Sequence, residues 1–142
     1  MPVIIPDVGK QNLLAQLMAR IAAGGQNAAV HLYQNPYVPV ESTVLGDFVE
    51  STFDGYAPLP LPAAADQGIN PSDIDVWTFD PLQWTAASGV GLPQIQYGYW
   101  VDCLLPGGGT QLLWCQAFDE PWGLASAGQT IQFLLSLGSG QL

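Results

Sequence analysis

Gln94-Ile95-Gln96-Tyr97-Gly98-Tyr99-Trp100-Val101-Asp102-Cys103-Leu104-Leu105, then Pro106-Gly107-Gly108-Gly109, then Gln111-Leu112-Leu113-Trp114-Cys115-Gln116-Ala117-Phe118, is the stretch whose reading decides the fold. Ile95, Tyr97, Tyr99, Val101 and Cys103 alternate with Gln94, Gln96, Gly98, Trp100 and Asp102. That is the period of two which sends successive side chains to opposite faces of a strand. One face reads as buried and the other as partly polar, and Trp100 breaks the rule: its ring belongs either to a second core layer or to a contact surface. The glycine run between two apolar, aromatic segments reads as a β-hairpin turn. Centring the turn near Gly107 and Gly108 sets Cys103 opposite Leu113 and Val101 opposite Cys115. The two sulfurs then share a face on the diagonal, about 7–8 Å apart. A disulfide needs a Cβ separation of about 3.8 Å, so the spacing predicts two reduced, buried thiols.

Working outward, short extended pieces punctuated by turn residues occupy 28–34, 44–50, 55–61, 74–79, 83–87, 95–105, 111–118 and 131–137. So many short strands predict a mainly β chain arranged as a sandwich or barrel. Residues 58–62 alternate proline with leucine, which suits an edge strand or an extended linker because proline lacks the donor N–H. Residues 63–72 and 86–93 read as loops. The one helix falls at 7–23, where Leu13, Leu14, Leu17, Met18 and Ile21 form a stripe between a capping Asp7 and a Gly24-Gly25 stop. Before it runs an uncharged apolar arm, 1–6. No charge run or low-complexity linker separates two halves and no repeat is found, so the expectation is a single domain over 1–142, with the sandwich at 28–140.

Composition narrows the function. Charged residues make up 10% of the chain, against about 25% in an ordinary soluble domain. The folded surface is covered either by uncharged polar groups or by other subunits, and we expect the second, a homo-oligomer (dimer or trimer) or a subunit on a larger assembly. The formal net charge is −10, with Lys10 and Arg20 the only cations apart from His31. Phosphate neutralisation needs several Lys or Arg on one face, so nucleic acid is not an expected partner. An anionic membrane surface fails for the same reason, and no apolar run approaches the ~20 residues of a membrane-spanning helix. The amino terminus has no basic segment ahead of an apolar core, so the chain is expected to be made in a cytoplasm.

Asp66, Asn70, Asp73 and Asp75 offer oxygen ligands, but their spacing is not that of a calcium loop, and they read as solvated loop carboxylates. Glu41, Asp47, Glu50 and Asp54, or Asp119 and Glu120, could supply the carboxylate pair of a glycosidase, although acidic residues at strand ends explain them as well. His31 lies in the apolar run Ala28-Ala29-Val30-His31-Leu32-Tyr33 with no nucleophile elbow anywhere in the chain, and one histidine cannot build a multi-histidine zinc site. It reads as a strand residue facing solvent or a neighbour. Gly107-Gly108-Gly109 lacks the lysine of a phosphate loop. The expectation is therefore no enzyme, no cofactor and no metal. Five tryptophans and five tyrosines suit tight packing and interfaces.

The run Val30-His31-Leu32-Tyr33-Gln34-Asn35, Pro39, Gly46-Asp47-Phe48-Val49-Glu50, Phe53 and Gly55-Tyr56 resembles small head proteins of tailed bacteriophages, of the capsid decoration or cement type. Gly98-Tyr99-Trp100-Val101, Leu113-Trp114, Phe118, Pro121 and the closing Leu137-Gly138-Ser139-Gly140 follow in the order of that type, so the resemblance spans about 28–140. It implies a jelly-roll-like antiparallel sandwich with one short N-terminal helix, seated on the outer capsid surface of a virion. There it would bridge and stabilise neighbouring major capsid protein subunits without catalysis. The arm at Val3, Ile4 and Ile5 and the segment around Trp122 and Leu124 are the expected contact points. The alternative is a carbohydrate- or receptor-binding sandwich of a phage tail or fibre, with Trp77, Trp84 and Asp80 as its sugar platform.

Overall fold

The computed structural model describes residues 28–61, 64–69, 75–104 and 107–138, with side chains described at 28–61, 78–104 and 107–135. The expected arm 1–6, with Val3, Ile4 and Ile5, and the expected helix 7–23 lie outside the described residues. The described chain is mainly β: β1 (Ala28–Tyr33), β2 (Leu59–Pro60), β3 (Ala64–Ile69), β4 (Asp75–Phe79), β5 (Leu82–Thr85), β6 (Gln94–Leu104), β7 (Thr110–Leu124), β8 (Thr130–Phe133) and β9 (Ser136–Gly138). Its contacts sort into two compact units where a single domain was expected.

The larger unit comprises Asn27–Leu61 and Gln83–Phe133. Its main sheet runs β2-β1-β6-β7, and β5 pairs with β8. β1 and β6 are antiparallel, with His31 directly opposite Trp100 and Tyr33 opposite Gly98. The β6–β7 hairpin foretold by the glycine run is present, turning through Gly108 and Gly109 at positive φ. Both faces of β6 are covered, however, since every residue from Gly98 to Cys103 is buried. On one face Tyr99 meets Phe118 and Phe133, and Phe133 stacks on Trp84. On the other, Tyr33, Phe48 and Trp100 form a second cluster with Tyr37, Leu45 and Cys115 packed against it. Trp100 is thus a core residue. Gly98 is required where it stands, because a Cβ there would strike the Tyr33 ring and the Gln116 carbonyl.

The other unit includes Pro62–Leu82 and Leu134–Leu142, and its described part is a three-stranded antiparallel sheet ordered β3-β4-β9. Phe79 and Leu135 are buried, and the Phe79 N–H donates to the Leu135 carbonyl at 3.0 Å.

Four expectations are corrected. Residues 64–69, expected in a loop, form β3. Residues 44–50 do not form a strand: the Asp47 carboxylate accepts the Val44 N–H at 2.9 Å and curls Leu45–Asp47 into a 3-10 turn, a side-chain capture that competes with ladder pairing. The 131–137 strand is broken into β8 and β9. Finally, the hairpin register differs. Cys103 faces Gln111, and a bulge leaves Leu113 unpaired, so that Val101 faces Trp114 and Trp100 faces Cys115. One extra residue flips the faces beyond it, which puts the two sulfurs on opposite sides of the sheet. Both cysteines remain thiols.

Candidate functional site

His31 sits where β1 crosses β6. Its Nδ1 lies 2.6 Å from Glu50 Oε1, and its Nε2 lies 3.1 Å from Asp102 Oδ1 and 3.0 Å from Asp102 Oδ2. A ring nitrogen that carries a proton donates to the carboxylate beside it. The imidazole plane lies on Trp100, centroids 4.6 Å apart and planes 2° from parallel, and Phe48 stacks on Trp100 at 4.9 Å. Trp100 Nε1–H donates to Asp102 Oδ2 at 3.0 Å. The Tyr56 hydroxyl donates to Glu50 Oε1 at 2.8 Å and accepts the Leu32 N–H at 3.1 Å. Burial pushes the Tyr56 phenol well above its ordinary range, and the Glu50 carboxylate beside it adds to the rise, against the Leu32 N–H, which lowers it.

This cluster is a clamp. Both imidazole nitrogens are committed to carboxylates, so neither is left to take a proton from a nucleophile. Its mechanical effect is to fix Glu50, and with it the end of the 35–49 segment, against β1. Tyr33 bridges to Glu50 through the backbone as well, and the Gln34 side-chain amide donates to the Glu50 carbonyl at 2.8 Å.

The segment so anchored is pinned along its length. The Tyr33 hydroxyl donates to the Tyr37 carbonyl at 2.9 Å, and the Tyr37 hydroxyl reaches Thr43 Oγ1 at 2.9 Å and Asp47 Oδ2 at 3.3 Å. The Val40 N–H donates to Thr43 Oγ1 at 2.7 Å, and the Thr43 N–H returns to the Val40 carbonyl at 3.0 Å. The Asn35 side chain closes the base, donating to the Asp47 carbonyl and accepting the Val49 N–H, each at 2.9 Å. On this braced loop Val38, Val40 and Val44 stand 73, 61 and 59% exposed. Val44 and Leu45 line a shallow groove with Thr43, Thr110, Gln111 and Leu112. A rigid loop that turns three β-branched apolar side chains to solvent is pre-organised for binding, because little conformational freedom is left to lose on contact.

Of the contact residues expected from sequence, Trp122 is 38% exposed and can meet a partner. Leu124 is 2% exposed and cannot; it faces Gln94 across the sheet as a core residue. The sugar platform is also corrected: Trp84 is buried and its indole N–H is bonded to the Ala57 carbonyl at 2.8 Å, while the Trp77 side chain lies outside the described residues. The valine loop was missed because 44–50 read as a strand. Its signal was present in the row of apolar residues at 38, 40 and 44 beside Pro36, Pro39 and Thr43. Among the described residues no group of three or more His, Cys, Asp or Glu side chains is placed to hold a metal ion, and no helix is long and apolar enough to cross a membrane.

Comparison with protein-family models, with curated proteins and with solved structures finds no match to this chain.

Proposed function

We propose that this protein is a structural component of a tailed-bacteriophage virion, a decoration or cement protein that binds the outer capsid surface and stabilises contacts between major capsid protein subunits. The observation that carries the reading is the braced loop of 35–49 with its outward valines. Decoration demands a feature that is rigid before binding and apolar where it meets the shell, and this loop is both. The run that resembles decoration proteins, 30–56, is also the run that builds the loop, its anchor at Glu50 and the turn at Phe53-Asp54-Gly55-Tyr56. The larger unit has a four-stranded antiparallel sheet in which β6 is buried on both faces, and we include a jelly-roll-like sandwich in the proposal.

In this role the chain acts by adding buried apolar area at subunit junctions, at about 25 cal/mol per Å² removed from water. Catalysis, a cofactor, nucleic acid and a membrane have no part in the mechanism. The arm at Val3, Ile4 and Ile5 is a second contact in the proposal, and association into a dimer or trimer is a further element of it.

The test is co-sedimentation with purified heads of tailed phages, expanded and unexpanded. Saturable binding with a fixed number of copies per head, and heads that lose DNA at a higher temperature once decorated, are expected. Heads that neither bind the protein nor gain stability from it exclude the reading.

A further inference from the structure

We infer that the surface fitted by the valine loop is an apolar patch rimmed by Lys or Arg side chains, and is not a second copy of this chain. The inference deepens the docking reading above and rests on it. It follows from where charge stands around the loop. Glu41 is exposed between Val40 and Val44, and it has no partner among the described residues. Asp47 is spent inside the loop on Val44 and Tyr37. The chain's only Lys and Arg are Lys10 and Arg20, and both lie outside the described residues. The remaining cation-forming side chain, His31, is held between Glu50 and Asp102.

The loop therefore presents apolar side chains beside an unanswered carboxylate, on a body whose described side chains include no Lys or Arg. A second copy docked through the same loop sets Glu41 against Glu41 and brings a further net charge of −10. Like charges across an interface are costly, whereas complementary ones steer encounter and fix register. A partner with cations around an apolar centre answers Glu41 and the general acidity together. The valines then supply affinity by burial, and the charges supply selection and association rate.

The test uses the full chain as bait for a displayed random peptide library, and in parallel the phage heads named above. Selected peptides are expected to combine apolar residues with Lys or Arg. Val40→Ser with Val44→Ser should weaken the selected peptides at least tenfold. Glu41→Lys should weaken them several-fold, and added salt should slow wild-type association while leaving dissociation little changed. Circular dichroism checks that each variant keeps the fold, as exposed substitutions of this kind usually do. Acidic or neutral winners, or winners indifferent to the valine and Glu41 variants, overturn the inference. So does sedimentation showing that Val40→Ser with Val44→Ser turns an oligomer into a monomer, since a second copy then occupies the loop. Heads that bind wild type and Glu41→Lys alike overturn the inference and keep the virion reading. Basic apolar peptides that bind when heads do not sustain the inference and retire that reading.

Discussion

His31 and Trp100 face each other directly across the β1–β6 ladder, and their rings are stacked 4.6 Å apart and within 2° of parallel. The contact joins the polar clamp to the aromatic cluster beneath it. Neither can be removed without disturbing the other, and both hold the segment that carries the exposed valines.

Replacing His31 with Ala should therefore cost more than a half-buried side chain normally does. It leaves Asp102 with only the Trp100 N–H, removes one of the two donors to Glu50, and uncovers an indole face. Breaking a buried pair costs about 3–5 kcal/mol, but Glu50 is part-exposed and solvent screens its share, so about 2 kcal/mol is expected from urea unfolding. His31→Gln, whose amide N–H groups donate from a single nitrogen and so reach one carboxylate in place of two, should recover part of it.

Gly98→Ala tests the other side of the same cluster. The added Cβ meets the Tyr33 ring and the Gln116 carbonyl, and overpacking of this kind costs about 1–3 kcal/mol. In a Tyr33→Leu background the penalty should shrink, because one of the two obstacles has gone. A double-mutant cycle by thermal unfolding reads the coupling; strict additivity would show that Tyr33 is not what excludes a side chain there.

Alkaline pH should weaken the fold in a defined window. Burial raises the Tyr33 and Tyr99 phenols from 10.0 to about 12. The folded state thus holds these protons after the unfolded chain has released them, so stability is whole below pH 10 and is lost as pH rises through about 12. Ultraviolet absorbance of tyrosinate should show these two phenols ionising together with unfolding, and urea midpoints should fall across the same range.

Thiol titration of unfolded, unreduced protein should report two groups per chain, Cys103 and Cys115. In the native state Cys115, half-buried at the edge of the Tyr33 cluster, should react before the buried Cys103. Burial raises the Cys115 thiol, which keeps that reaction slow near neutral pH.

Much of the β-sheet framework was legible: β6 is written in period-two alternation, β1 and β4 as short apolar runs bounded by turn residues, and the hairpin of β6 and β7 in its glycine turn, and all fall close to where the sequence places them. β3 was not, since Ala64-Ala65-Asp66-Gln67-Gly68-Ile69 holds one β-branched residue and is a strand by virtue of pairing with β4. The hairpin register was missed by the bulge at Leu113, which no local pattern announces. The clamp joins residues 19 and 71 positions apart, beyond any window of sequence reading. Its two ends did stand out, however, as a histidine in an apolar run and a tryptophan on a polar face. The structure shows that each is the other's explanation.

The shape of β7 governs what the sheet cannot become. β7 is an edge strand, and its pairing with β6 is cut into three short runs, Thr110 to Leu112, Trp114 to Ala117 and Trp122 to Leu124, by the bulge at Leu113 and by the four residues Phe118 to Pro121 that oppose Tyr97 alone. At the far edge, β2 is two residues long and ends on a proline. Fibril growth proceeds by adding strands to long, flat, unbroken edges, and neither border offers one. These interrupted borders deny a second copy a template for edge-to-edge strand addition, so any contact between copies has to be made through side chains and loops.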